Sequence, residues 1–191
     1  MAGIARILGV DPGVSETGWA VIESASGVAE KLLGCGLIRT KPSQILSERL
    51  REIHGHLSEV ILEYEPDSVA VEEMFFLKAA HTIRGTLQAR GVILLAAAQA
   101  NKAISEYNPR AVKIALSGSG EAPKAQMQKA VQRALNLGEA LRPDDVADAA
   151  AIALCHLRSG RIGKLKVVGR IGGGGPRRAM RGPIPRAGRA P

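Results

Sequence analysis

Four acidic residues stand where apolar segments end or begin. Asp11 closes the run Ile7-Leu8-Gly9-Val10 ahead of a Pro12-Gly13 turn, and Glu72 closes Ser68-Val-Ala-Val. Asp145 and Asp148 open an Ala-rich segment, and their i, i+3 spacing puts them on one helix face. A bare carboxylate at the end of a buried strand is costly unless a cation meets it. If the first and fourth strands are neighbours and the last helix packs across their ends, the four carboxylates converge. Like charges that close cannot all ionise alone. An all-oxygen donor set selects hard ions such as Mg²⁺ or Mn²⁺. Two ions roughly 3.5–4 Å apart suit in-line displacement at a phosphodiester, one preparing a water and the other stabilising the leaving oxygen. Each acid also has a plainer reading. Asp144 and Asp145 fit a helix N-cap and a dipole-favoured first turn. Asp148 fits a solvated face, Glu72 beside Glu73 a solvated strand end, and Asp11 a turn. The combination carries more weight, because Asp145-Val-Ala-Asp148 leads straight into Ala-Ala-Ala-Ile-Ala-Leu.

The elements that must position these acids follow from periodicity. Residues 4–10, 17–23 and 28–39 read as strands joined by hairpins, with an antiparallel start. Over 44–64, Ile45, Leu46, Leu50, Ile53, Leu57, Val60 and Ile61 recur at helical spacing, and the helix ends before Pro66. Residues 67–72 read as a short buried strand, 79–101 as a long helix and 103–107 as a last strand. Pro109 opens a short helix to about 116. A helix over 123–137, with Gly138 as its stop, precedes a final one over 145–157. Gly85 and Gly91 inside the long helix permit close approach, either across a subunit interface or within one subunit. The order βββ-α-β-α-β-α-α-α is that of a layered α/β domain with a mixed sheet.

Composition bounds the rest. The 191 residues are 46% hydrophobic and only 3% aromatic, so the core is aliphatic. The longest apolar run, 92–98, is too short to span a bilayer. No secretory pattern opens the chain, and Cys35 and Cys155 lie far apart, so a reducing, cytoplasmic setting is expected. Net charge is +8 from 26 basic and 18 acidic residues. Ten of the basic residues and none of the acidic ones lie beyond residue 157, so the remainder carries sixteen against eighteen and nets −2. The expected division is a domain at 1–159 and a basic Gly/Pro/Arg-rich tail at 160–191, too poor in apolar residues to order itself. Such a tail favours a polyanion, or serves as a solubilising extension.

The acids sit in recognisable surroundings. Gly9-Val10-Asp11-Pro12-Gly13 with Thr17-Gly18, Val71-Glu72-Glu73-Met74-Phe75-Phe76, Gln88-Ala89-Arg90-Gly91 and Asp145-x-x-Asp148 ahead of Ala-Ile-Ala-Leu-Cys-His occur in the order and spacing of the RuvC Holliday-junction resolvases. Over about 4–157 the chain resembles that family. The resemblance implies an RNase H-like fold with a mixed five-stranded sheet flanked by helices, a homodimer, and Mg²⁺-dependent paired nicking of four-way DNA junctions in recombination and repair. It implies two Mg²⁺ per subunit, with Mn²⁺ a possible substitute, held by Asp11, Glu72, Asp145 and Asp148. It selects Glu72 over Glu73 and Asp145 over Asp144, choices that spacing left open. It further implies partnership with the RuvA–RuvB branch-migration complex.

DNA contacts follow from the same resemblance. Phe75 matches the family's junction-wedging aromatic, and Phe76 lies beside it. Exposed aromatics next to a metal site stack on unpaired bases, worth about 1–3 kcal/mol per base. Lys78 follows in the same loop, within reach of a phosphate. Lys113 and Lys124 match family lysines near the scissile strand, and Lys124 is a candidate to stabilise charge developing on the phosphate. As isolated residues, the Phe pair reads equally as core and the lysines as ordinary surface. The histidines suggest surface or boundary roles, and the cysteines small packing residues. Two other classes stay open. Asp-x-Gly-x-x-x-Thr-Gly also resembles the first phosphate loop of actin-like ATPases and sugar kinases, but no second loop follows. A non-cleaving nucleic-acid-binding protein of YqgF type would share the fold, though a complete acidic set argues against it.

Overall fold

A computed structural model describes residues 4–25, 28–73 and 80–159, with side chains described from 84 onward in the last stretch. Phe75, Phe76, Lys78 and the 160–191 tail therefore lie outside the described residues. Five strands, β1 (Ala5–Asp11), β2 (Glu16–Ser24), β3 (Lys31–Arg39), β4 (Ser68–Glu72) and β5 (Ala103–Tyr107), form one sheet in the order β3-β2-β1-β4-β5. The β1–β2 and β2–β3 pairs are antiparallel, and β1–β4 and β4–β5 are parallel. The sheet is mixed, as the element order predicts. The helices are α1 (Leu46–Tyr64), α2 (Ala80–Gln99), α3 (Pro109–Ser117), α4 (Lys124–Ala134) and α5 (Asp144–Ser159).

Side chains alternate across a strand, so parity assigns each strand residue to a face. Leu8, Val10, Val21, Val69 and Val71 pack with α1 and α2 on one side. Ile7, Ala20, Ile22 and Ala70 pack with α3, α4 and α5 on the other. The first face is filled with branched side chains. The second is built small at its centre, because α5 lies close against β1 and β2. A Cβ on Gly9 would overlap the Ala149 carbonyl oxygen and crowd the Ala153 methyl at 2.9 Å, and a Cβ on Gly18 would overlap the Asp145 carbonyl. Glycine within a strand marks such a close approach. Opposite it, α5 presents Ala149, Ala150 and Ala153, all fully buried.

Helix ends show why the sequence folds locally. Asn108 caps α3, its side chain accepting from the Arg110 N–H at 2.8 Å, with Pro109 as the first helical residue. Glu65 closes α1 in the left-handed region at φ 46°. One expectation is corrected: α4 ends at Ala134, not at 137. Asn136, at φ 50°, takes the left-handed position that Gly138 was expected to fill. The Gln132 side chain holds the unwound segment by donating to the Leu137 and Gly138 carbonyls at 3.2 and 3.1 Å. This unwinding lets Leu135 turn into the core, where it is 6% exposed.

The two helical glycines have different surroundings. A Cβ on Gly85 would meet Val14 Cγ1 at 2.8 Å, so its smallness serves packing within the subunit. Gly91 faces nothing within 4 Å. It lies on an exposed stripe with Arg84, Gln88, Leu95 and Ala98, at the alternating spacing of four and three that a partner helix requires. No described helix is long and apolar enough to cross a membrane.

Candidate metal centre

Strand parity puts Asp11 and Glu72 on the α5 face. Asp11 follows Ile7 and Gly9 by twos, and Glu72 follows Ser68 and Ala70. The parallel register pairs Val10 with Val71, so the two acids leave neighbouring strand ends side by side. The β1–β2 register places Gly18 directly across from Asp11, and Gly18 is where the first turn of α5 touches the sheet. That contact sets the first turn of α5 near the strand ends, and Asp145 and Asp148 are near enough for their charges to act on Asp11.

The turn after Asp11 is braced. Thr17 Oγ1 donates to the Gly13 carbonyl at 2.6 Å, and Thr40 Oγ1 donates to the Val14 carbonyl at 2.6 Å. Arg49 in turn donates to Thr40 Oγ1 and Ser15 Oγ, both at 2.8 Å. A Cβ on Gly13 would overlap the Glu16 carbonyl oxygen, so glycine is what lets this turn close.

Electrostatics record the crowding. The Asp11 carboxyl is pushed up to about 8, first by burial and then by the negative charges of Glu72, Asp148 and Asp145. Asp11 and Glu72 are hydrogen-bonded to each other, in the sense that raises Asp11 and lowers Glu72. Glu72 is nonetheless raised, chiefly by burial. Asp148 is raised by burial too, with Lys124 and Lys113 pulling it the other way. Among the described residues, no group of three or more His, Cys, Asp or Glu side chains is placed to hold a metal ion as the side chains stand. In chemistry the four acids suit a hard divalent ion, since all are oxygen donors and the negative charge that raises Asp11 is what a cation relieves.

A pH dependence follows. Asp11 is ordinarily deprotonated above about 3.8 but keeps its proton in the folded protein to about 8. A divalent ion must displace that proton, so metal affinity is expected to climb between pH 6 and 8 with proton release on binding. Calorimetric titration with Mg²⁺ in buffers of different ionisation enthalpy measures that release. Affinity flat across this range would show that Asp11 does not compete with the ion.

Asp144 and Asp145 part company in the structure. Asp144 Oδ1 accepts from Gln128 Nε2 at 2.7 Å, and its Oδ2 lies 3.7 Å from Lys124 Nζ. Asp144 thus ties α5 to α4 and orients Lys124, whose side chain is 73% exposed. Lys113, on α3, approaches from the side of Asp148. Two basic residues went unnoticed in the sequence. Arg39 and Arg142 join Lys124 in bordering a groove of about 620 Å³ that runs past Asp144 and Asp145. Arg142 had a faint signal, a cation immediately before the Pro143-Asp144 helix start. Arg39 had none, because only folding brings the end of β3 to this groove.

Two histidines join elements within the fold. His156 bridges β4 and β5 from α5, with Nε2 3.1 Å from Ser68 Oγ and Nδ1 2.8 Å from Tyr107 Oη, and burial lowers its pKa. His54 Nε2 lies 2.7 Å from Gln99 Oε1 and links α1 to α2. Cys155 is fully buried and Cys35 half-buried, and both are free.

Comparison with known proteins gives a consistent picture. The family model described as crossover junction endodeoxyribonuclease RuvC matches residues 7–156. The RuvC of Caldicellulosiruptor saccharolyticus is 46% identical over 154 residues, covering 81% of this chain and 93% of that protein. The RuvC of Halothermothrix orenii is 47% identical over 159 residues, covering 83% and 95%. Among solved structures, Thermus thermophilus RuvC in complex with a Holliday junction substrate superposes with a TM-score of 0.76 at 34% identity, covering 83% of this chain and 96% of that one. The yeast mitochondrial Holliday junction resolvase Ydc2, at 13% identity and a TM-score of 0.60, shares the fold, covering 81% and 79%.

Proposed function

This chain belongs to the RuvC family of crossover junction endodeoxyribonucleases, and from that premise we propose that Asp11, Glu72, Asp145 and Asp148 form the centre at which it hydrolyses DNA. The activity is that of the family: structure-selective phosphodiester cleavage at Holliday junctions in recombination, on an RNase H-like α/β fold. The observation that supports the site assignment is that Asp11, at the end of β1, is pushed up by burial and then by the negative charges of Glu72, Asp148 and Asp145.

The four carboxylates would hold two Mg²⁺ ions, with Mn²⁺ as a substitute. Bound there, the ions would supply Lewis-acid activation of water and charge neutralisation at the leaving oxygen. The protein's own groups do the rest. The β1 and β4 ends and the first turn of α5 fix the ligands on rigid elements. Lys113 and Lys124 bring positive charge to the phosphate, where Lys124 stabilises the charge that develops as the bond breaks. Asp144 and Gln128 keep Lys124 near the centre. Arg39 and Arg142 extend the positive flank along the strand. Phe75 stacks at the branch point, with Phe76 and Lys78 beside it, and the 160–191 tail adds sequence-independent attraction to phosphates.

The enzyme acts as a homodimer, because a junction of approximate two-fold symmetry calls for one centre on each of two opposed strands. The exposed α2 stripe through Gly91 and the half-exposed Leu95 is the proposed contact. Leu95→Glu is expected to convert dimer to monomer by sedimentation velocity and to uncouple the paired nicks. A variant that remains dimeric would place the interface elsewhere. Partnership with the RuvA–RuvB branch-migration complex belongs to the same proposal.

The test of the whole reading is cleavage of a synthetic four-way junction with Mg²⁺, beside linear duplex and single-stranded controls. Paired nicks confined to the junction are expected. Equal cutting of linear duplex would remove the structural selectivity, and junction binding without nicks at any sequence would favour a non-cleaving module.

A further inference from the structure

Beside the carboxylates a cleft of about 260 Å³ opens between α3, α4 and α5. Glu72 and Asp148 from the centre line it, together with Lys113 and Lys124. The rest of its lining is of another kind. Val112, Met127, Ala151 and Ile152 line it, each less than a tenth exposed. Hydrolysis at a metal centre needs charge and water and has no use for an apolar recess. A recess of this composition, with two ammonium groups in its lining, matches a ligand that is anionic at one end and flat and weakly polar at the other. A nucleotide of the strand whose phosphate lies at the centre has that form.

We propose that this cleft receives one unstacked nucleobase of the cleaved strand, adjacent to the reacting phosphate. The inference rests on the proposal that the four carboxylates handle a phosphodiester. It adds that the strand is held by a base as well as by its backbone. Removing a base from an intact duplex costs a few kcal/mol of stacking and pairing, and the cost is least where pairing is already disturbed. A branch point supplies such a base, so the cleft makes cleavage sensitive to local structure without reading it directly. Apart from its four charged groups the lining is apolar throughout. The base is therefore held chiefly by shape and apolar contact, and an empty sugar is held poorly.

The experiment scans single abasic nucleotides through the positions flanking the cleaved phosphate of a four-way junction. With the wild-type protein and Mg²⁺, one position is expected to slow nicking about tenfold or more, the loss that about 1.4 kcal/mol of base contact represents. Val112→Phe, which fills the cleft, is expected to slow nicking of the intact junction similarly and to add nothing on that abasic junction, because both remove the same contact. Ala151→Met is a second filling variant should Val112→Phe fail to fold, and the wild-type abasic scan is independent of either. 2-Aminopurine at the sensitive position reports the base without cleavage. In complexes with Asp11→Asn protein its fluorescence is expected to rise on binding, and not to rise when Val112→Phe is added. That readout separates the two proposals: a fluorescence rise without nicks by wild-type protein keeps the cleft and removes the nuclease assignment. Nicking at the wild-type rate with every flanking position abasic, and no fluorescence change at any of them, overturns the cleft.

Discussion

Asp11→Asn is expected to make the metal-free protein more stable while removing its nuclease activity. The reason is the proton that Asp11 keeps. Its folded-state value of about 8 lies above the ordinary 3.8, so the folded protein holds a proton that the unfolded chain sheds. The stability associated with this group is therefore fully present below about pH 4 and falls as pH rises toward 8. Asparagine occupies about the same volume and has nothing to ionise. The variant's advantage should open between pH 4 and 8 and reach roughly 5 °C in melting temperature, equivalent to about 1–2 kcal/mol for a domain of this size. Saturating Mg²⁺ should reverse the order, because the wild type gains binding energy that the variant cannot. Nicking should fall roughly 10²–10³-fold or more, the scale for removing one preorganised electrostatic contributor, with junction affinity retained. Thermal melts with and without EDTA, beside a junction assay, measure all of this. Equal melting temperatures at pH 8 without metal would mean that the crowding at Asp11 is relieved by some other route.

Gly18→Ala is the second substitution with a large expected effect, and it touches none of the four acids. A single Cβ at this position would overlap the Asp145 carbonyl. The first turn of α5 must then lift from β2, carrying Asp145 and Asp148 away from Asp11 and Glu72. Overpacking of this kind costs about 1–3 kcal/mol. A displacement near 1 Å at a catalytic group costs about 10²-fold in rate. The expected result is a folded, less stable protein with weakened Mg²⁺ affinity and nicking reduced on that scale. Gly55→Ala is the matching control, since a Cβ there meets nothing within 4 Å in the interior of α1. It should raise stability by about 0.5–1 kcal/mol and leave nicking unchanged. If Gly18→Ala also cleaves normally, the seating of α5 on β2 is not what holds the acids in place.

The site was largely legible before folding because its ligands sit at element ends. An acid that closes an apolar run is visible in any sequence, and so is an i, i+3 pair ahead of an Ala-rich helix. Among the described residues the five strands and five helices were likewise legible, since each has its own periodicity or boundary residues. The α4 end was missed because Asn136 substitutes for glycine in the left-handed turn, and only the side chain of Gln132 reveals how that turn is held. Asp144 and Asp145 were indistinguishable by spacing. What separates them is Gln128 and Lys124, which draw Asp144 toward α4.

By itself, the sequence determined the order of the elements, the four acids, the basic tail and, through its motifs, the family. Those properties are local in the chain or carried by short signatures. The tertiary structure decided which face each acid occupies, through the parity of β1 and β4 and their parallel register. It decided that Gly9 and Gly18 are contact points for α5, that Gly85 packs inside the subunit, and that Gly91 stays open. It also brought Arg39 to the centre's flank and opened an apolar cleft at its side. The physical reason is common to all of these. Close approach and charge crowding depend on which atoms meet across the sheet, and residues far apart in sequence meet only once the chain has folded.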